Sequence, residues 1–329
     1  MRPVASSETQ VETLCWCISK GMAGMNSQTS GLAQAVGIPF EFRHARLKFP
    51  WNCLPLTWIP RAEFVVRDPA ALTTGPLPRL VVSCGRHGIL PSLALKRRLG
   101  EKVFTVHIQD PKIDPRDFDL VVIPEHDGTR GPNVYLTTGA LHYVTPERLA
   151  AARRTEQAAS LRDGDRHIVP VLIGGPNGCY RFTEGDMSRF IERLHQFAGN
   201  NSVRLVILKS NRTPAALVER LRSEFSAAHY VWDGISPNPY FAALSMASHV
   251  IVTGDSVSMV TEATATGRPV FVQHLTETRT ARRFRHFHQM FQDRGLTRPF
   301  EGILAEWSYE PPNDTPRVAR IIRERMGLE

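Results

Sequence analysis

The chain has 329 residues, 42% of them hydrophobic and 22% charged, and carries a net charge of +8. That balance excludes a disordered or fibrous chain, and the length is enough for two domains with sizeable cores. The excess of arginine favours a phosphate-bearing or otherwise anionic partner, or an anionic membrane surface, without choosing among them.

No apolar run reaches the roughly 18 residues that cross a bilayer as a helix. Cys15, Cys17, Cys53, Cys84 and Cys179 contain no Cys-x-x-Cys pair, which argues against a zinc site or a disulfide framework and for thiols in a reducing compartment. The N-terminus "MRPVASSETQ" lacks an apolar signal core. A cytoplasmic location is expected, with a peripheral contact on the inner face of a membrane, and no nucleic-acid partner.

In chain order, "VETLCWCIS" (11–19) reads as a strand, followed by the turn "KGMAGMN" and a short helix over 27–37. "RLVVSC" (79–84) is a strand followed by "GRHG" and a helix through "SLALKRRLG". "KVFTVHIQDP" (102–111) and "FDLVVIPEHD" (118–127) are two more strands. Short apolar runs that alternate with helical segments predict a parallel sheet covered on both faces. The charged stretch 142–166 reads as one helix and a polar turn, and the linker is expected there. The pattern restarts with the strands "HIVPVLIGG", "VRLVILKS" (203–210), "HYVWDG" (229–234), "HVIVTGDS" (249–256) and "RPVFVQ" (268–273). The basic stretch 278–298 and the tail 315–327 read as helices.

The expected fold is therefore α/β, with two Rossmann-like doubly wound domains and a cleft between them. Residues 1–150 would form the N-terminal acceptor domain and 151–329 the nucleotide-sugar domain. The last helix is expected to pack back on the first domain.

The most informative turn is "VTGDSVSMVTEATATGRPVFV" (252–272). Gly254 permits a close turn, and Asp255 or Ser256 can cap the helix that follows. The helix N-terminus is an anion site, to which Ser256 and Ser258 add hydroxyls. Glu262 shares the face of Ser258 and can accept two hydrogen bonds from a ribose diol. The alternative is plain capping with a solvated Glu262. Gly174 and Gly175 form a second turn, after the first strand of the second domain. Lys20 and Gly24 lie in a third turn, where the lysine would face an anion or solvent.

His126 and Asp127 follow a strand of the first domain. A neutral imidazole there can serve as general base, or the histidine is a surface loop residue. Arg86 and His87 end another strand of that domain. The histidines of the basic helix, His286 and His288, have the wrong spacing for a metal, and none is expected. "LKFPWNCLPLTWIPRAEF" (47–64) suits a lipid interface through Phe49, Trp51 and Trp58, but buried core is the preferred reading.

Seven motifs in order carry a family resemblance: "KGMAGMNSQTSGLAQAVG", "GRHGILPSLAL", "IQDP", "FDLVVIPEHDGTRGPNVYLTTGAL", "VLIGGPNG", "DGISPNPYFAAL" and "TGDSVSMVTEATATGRPV". The chain resembles the mitochondrial-fission ELM family, whose members are similar to glycosyltransferases of the two-domain GT-B type. The resemblance implies a metal-independent, inverting transferase. It would use a nucleotide-diphosphate sugar, with UDP the favoured nucleotide, and a sugar or lipid-linked acceptor of the cell envelope. No further cofactor is implied. Ser256, Ser258 and Glu262 would take the diphosphate and the ribose, with Gly174, Gly175, Asn238, Tyr240, Gly254, Asp255 and Met259 around them. Lys20, Gly24, Gln28 and Arg86 would meet the acceptor or its phosphate. Met25 follows Gly24 where many relatives carry histidine, so the expected base is His126 with Asp127. A UDP-sugar epimerase is an alternative. A scaffold is another, since plant members are described as adaptors that recruit a fission dynamin.

Overall fold

The computed structural model describes residues 14–60, 62–278 and 281–328, and it divides into two compact units. The first unit runs to Ile123 and takes in Thr129–Leu136 and the segment from Thr315 onward. The second comprises Pro124–Gly128 and Thr137–Asp314.

Six strands build the first sheet: β1 (Cys15–Ser19), β2 (Phe40–His44), β3 (Leu80–Cys84), β4 (Phe104–Ile108), β5 (Leu120–Pro124) and β6 (Val134–Thr137). Their order is β2-β1-β3-β4-β5-β6, and the pairs from β2 through β5 are parallel. β1, β3 and β5 are buried along their whole length, as strands covered on both faces must be. Helix α1 (Ala23–Val36) ends at Gly37, whose φ of 81° is the left-handed cap that glycine adopts at least cost. Helix α2 (Arg86–Leu99) starts directly after β3. The C-terminal helix, Thr315–Met326, lies against α1. There Arg323 Nη1 donates to the Val36 carbonyl at 2.8 Å.

Two expectations change here. α1 begins four residues earlier than its polar start implied, so Gly24 sits in its first turn rather than in the loop. In its place Gly21, with φ of 92°, makes the turn. In 47–64 the preferred buried-core reading holds for Leu47, Leu56 and Ile59, with Trp51 and Leu54 half-buried against them, but not for Phe49 and Trp58, which are 81% and 73% exposed. Arg61 lies outside the described residues.

The second sheet contains β7 (His167–Ile173), β9 (Val203–Lys209), β10 (Tyr230–Val231), β11 (Val250–Thr253), β12 (Val270–Gln273) and β14 (Thr297–Pro299). A small antiparallel ribbon joins β8 (Tyr180–Arg181) to β13 (Thr276–Glu277). The sheet order β10-β9-β7-β11-β12-β14 is 3-2-1-4-5-6 within the unit, the dinucleotide-fold order. Its switch point lies between β7 and β11. Helices α3 (Pro146–Ala152), α4 (Glu156–Leu161), α5 (Glu184–Gly199), α6 (Ala215–Phe225), α7 (Tyr240–Ser245), α8 (Val257–Thr264) and α9 (Arg282–Asp293) complete the unit.

The expected linker at 142–166 is part of this unit, and so is the expected boundary at 150. The charged segment forms two helices, capped by the Thr145 and Thr155 hydroxyls. Both pack on α7, and Val144, Ala158 and Leu161 enter the core. The charges that suggested a linker occupy only the outer face of these helices.

Candidate functional site

Ligands of doubly wound sheets bind beyond the carboxyl ends of the strands, at the switch point. In the second unit that point is where the turns after β7 and β11 meet, and Asp255 joins them. One carboxylate oxygen accepts the Gly175 N–H at 3.0 Å and the Arg212 guanidinium at 2.7 Å. The other accepts the Thr253 hydroxyl at 2.6 Å, and that hydroxyl oxygen in turn accepts the Gly174 N–H at 2.7 Å. Asn177 Nδ2 donates to the Asp255 carbonyl at 2.9 Å. Asp255 therefore braces the turn, and its side chain has no exposed surface.

The two glycines follow from this brace. A Cβ on Gly174 would stand 2.2 Å from an Asp255 carboxylate oxygen, and one on Gly175 would stand 1.9 Å from the Arg212 carbonyl. The second obstacle is backbone and cannot rotate away. Gly175→Ala is expected to lower unfolding free energy by about 2 kcal/mol, the usual cost of overpacking. Urea unfolding measures it, and an unchanged midpoint would refute the steric argument.

Helix α8 starts at this brace. Ser256 is its N-cap, and its Oγ accepts the Met259 N–H at 3.3 Å. The first-turn amides of a helix lack intrahelical partners and point a partial positive charge outward. Glu262, one turn along, is 7% exposed and accepts a short hydrogen bond from the Tyr240 hydroxyl of α7. Burial, and then the Glu262 charge, push the Tyr240 phenol well above its usual pKa, so the tyrosine keeps its proton and donates. The structure thus brings Tyr240 and Glu262 together. Asn238 acts locally, its Oδ1 accepting the Tyr240 N–H at 3.1 Å. Met259 is half-buried against the core.

His288 supports the same turn from α9. Its Nε2 donates to the Gly254 carbonyl at 2.7 Å, which places the ring proton on that nitrogen. A Cβ on Gly254 would meet this nitrogen at 3.0 Å, so glycine is needed for the approach of a side chain. Burial first, then the neighbouring His274, lower the His288 pKa to about 4.

The expected open base is not found in this arrangement. The His126 side chain has no exposed surface, and neither ring nitrogen has a hydrogen-bond partner among the described residues. Its Nε2 stands 3.6 Å from Asp127 Oδ1, beyond hydrogen-bond reach, and the ring edge packs on Phe287. Burial, then the Arg283 charge, lower its pKa to about 3, which makes it a poor proton acceptor. Asp127, 2% exposed, is paired with Arg283. The turn belongs to the second unit, where α9 closes over it.

That closure also accounts for the basic helix. Arg283 pairs with Asp127, Arg285 with Glu277 at 3.1 Å, and Arg294 with Glu125 at 2.6 Å. Much of the charge expected to attract a membrane or a diphosphate is met within the unit. Arg279 lies outside the described residues. Among the described residues no three His, Cys, Asp or Glu side chains gather as for a metal ion, and no helix is long and apolar enough to cross a membrane.

In the first unit, Lys20 follows β1 and is exposed. Gln28 is buried and donates to the Gly24 carbonyl at 3.0 Å, an internal role in α1. Arg86 donates to the Leu54 carbonyl and, at 3.5 Å, to that of Trp51. Sequence reasoning missed Arg212 and the support from His288. An arginine three residues after a strand end was the available signal for the first. No sequence signal links His288 to Gly254.

A family model described as mitochondrial fission ELM1 matches residues 23–326. The mitochondrial fission protein ELM1 of Arabidopsis thaliana is 32% identical over 283 residues, which cover 76% of this chain. The match spans 64% of that relative's length. An uncharacterized protein of Rickettsia prowazekii is 24% identical over 290 residues, covering 76% of this chain and 80% of that protein. Among solved structures, the UDP-GlcNAc 2-epimerase of Methanocaldococcus jannaschii, in complex with UDP-GlcNAc and UDP, superposes with a TM-score of 0.55 at 12% identity. It covers 95% of this chain and 99% of that one. The Neisseria meningitidis UDP-GlcNAc 2-epimerase, bound to UDP-GlcNAc, gives 0.53 at 13% identity, covering 96% of this chain and 100% of that one. At such identities the likeness is one of fold, the GT-B-like α/β fold with parallel sheets.

Proposed function

We propose that this chain, which belongs to the mitochondrial fission ELM1 family, binds a nucleotide-diphosphate sugar at the carboxyl end of the second sheet. On this reading it is a metal-independent glycosyltransferase of the GT-B type, with a sugar or lipid-linked acceptor. The observation that carries the reading is the braced turn at the switch point, with the N-terminus of α8 directly behind it and the Tyr240–Glu262 pair one turn further on. The helix end takes the diphosphate, together with the Ser256 and Ser258 hydroxyls. The fixed positive dipole also favours charge developing on a leaving diphosphate. Glu262 accepts the ribose diol while Tyr240 orients the carboxylate.

Calorimetry with UDP, GDP, ADP and CMP tests the site and names the base. Glu262→Ala is expected to weaken nucleotide binding by about 2 kcal/mol, or about thirtyfold. Tyr240→Phe, which leaves the carboxylate in place, should cost less. Undiminished binding by Glu262→Ala would remove the ribose assignment, and no binding of any nucleotide would remove the site.

The closure of His126 and Asp127 favours a second reading, in which the chain holds a nucleotide sugar without transferring it and serves as a scaffold. Assays of UDP-sugars separate the two. Transfer releases UDP only with an acceptor, an epimerase alters the sugar without one, and a scaffold does neither.

A further inference from the structure

Three adjacent strands of the first sheet are each followed within two residues by a basic side chain. β2, β1 and β3 are neighbours, with Ser19 opposite His44 and Ile18 opposite Ser83. Lys20 follows β1, Arg46 lies two residues beyond β2, and Arg86 and His87 open α2 after β3. Backbone bonds draw these ends together. Ala45 N donates to the Ser19 carbonyl at 2.9 Å, and Leu47 N donates to His87 Nδ1 at 3.0 Å. The second bond puts the His87 proton on Nε2, as a donor.

The carboxylates near these strand ends are engaged elsewhere: Glu41 with Arg43, and Asp110 with Lys112 and Thr129. Among the described residues, Lys20, Arg46 and Arg86 have no carboxylate partner. Their charges converge, since all three lower the His87 pKa after burial has done so. The N-termini of α1 and α2 open here as well, at Met22 and Gly85, without side-chain caps. Like charges gathered without counter-charge repel one another, and an anion relieves that repulsion.

The neighbouring excursion supplies a second kind of surface. It leaves the sheet after Arg46, returns through the Leu47–Val66 bridge, and is tied down by Arg86 on the Leu54 and Trp51 carbonyls. Leu56 and Ile59 anchor it, while Phe49 and Trp58 stand in solvent. Exposed aromatics beside an unneutralised basic cluster match a ligand with an anionic head and an apolar body.

We propose that Lys20, Arg46, Arg86 and His87 form an anion site in the first unit for the phosphate of a phosphate-bearing lipid, with Phe49 and Trp58 meeting its apolar part. This site deepens the acceptor half of the proposed function, on which its lipid rests, because Lys20 and Arg86 are the residues expected to meet the acceptor's phosphate; it does not depend on the nucleotide reading of the second unit. Its chemistry is shared with free phosphates, so the test uses both sources.

The probes are inorganic pyrophosphate, followed by calorimetry, and phosphatidylcholine vesicles with and without phosphatidic acid, followed by co-sedimentation at low and high salt. Lys20→Ala/Arg46→Ala changes two exposed side chains and should keep the fold, as circular dichroism will report. The parent should sediment with phosphatidic acid vesicles at low salt and be displaced by pyrophosphate. The double variant should lose about tenfold in both assays. Phe49→Ser/Trp58→Ser should lose vesicle binding and keep pyrophosphate binding. Both variants should bind UDP as the parent does, which separates this site from the nucleotide site. Equal binding by the parent and the Lys20/Arg46 variant, or no binding of either probe by the parent, overturns the proposal. Pyrophosphate binding without vesicle binding overturns its lipid half.

Discussion

Arg212→Ala is expected to lower unfolding free energy by about 3 kcal/mol, while Arg212→Lys loses about half as much. Asp255 is wholly buried, and the guanidinium is its one cationic partner among the described residues. Removing one member of a buried pair leaves an uncompensated charge, which typically costs about 3–5 kcal/mol. The lower figure applies because the Arg212 side chain is 34% exposed, so water can replace part of what is lost. Lysine restores the charge but not the second bond, by which Arg212 Nη1 reaches the Gly175 carbonyl at 2.8 Å. Urea unfolding gives the free energies. Nucleotide calorimetry on the same variants should show weaker binding, since the turn before α8 loses its brace. An Arg212→Ala protein as stable as the parent would mean that the brace holds without its cation.

Stability should also fall steeply as the pH drops from about 6.5 toward 4. An ordinary histidine titrates near 6.5, whereas burial holds His288 at about 4 and His126 at about 3. Between these values the unfolded chain binds protons that the folded chain excludes, so acid favours unfolding. Each site contributes a slope of about 1.4 kcal/mol per pH unit, so the two together remove about 5 kcal/mol between pH 6.5 and 4.5. Burial pulls the Asp186 and Asp110 carboxyls upward, but their hydrogen bonds outweigh it and hold both below 3.8, so they add their own loss only in stronger acid. Burial also holds His107 at about 3 and His229 at about 4, so both steepen the same profile. Unfolding free energy against pH measures the slope, and His288→Gln should remove about a quarter of it. A flat profile over this interval would show that the rings admit their protons without unfolding.

Much of the architecture was legible in the chain. The alternation of short apolar runs with helical segments announced parallel doubly wound sheets, and the paired strands have that form. Strands that lack this signature were missed: β2 reads FEFRH and lies at a sheet edge, so few of its positions need to be apolar. The segment 142–166 was misread because its charged outer face dominates the composition, while three apolar positions suffice to dock its helices.

The candidate residues divide in the same way. Gly254, Ser256 and Glu262 could be singled out because a strand, a tight turn and a capped helix are local events, governed by residues within one turn of each other. Asp255 took its place in the brace only through Arg212, 43 residues away, and Gly175, 80 residues away. His126 looked like an open base because a loop histidine is ordinarily solvated. Its burial was decided by α9, whose Phe287 and Arg283 come from more than 150 residues downstream. Local propensity and patterning therefore determined which elements form and where their polar turns fall. Tertiary packing alone decided which of those turns meet, because burial and counter-charge come from side chains that are distant along the chain.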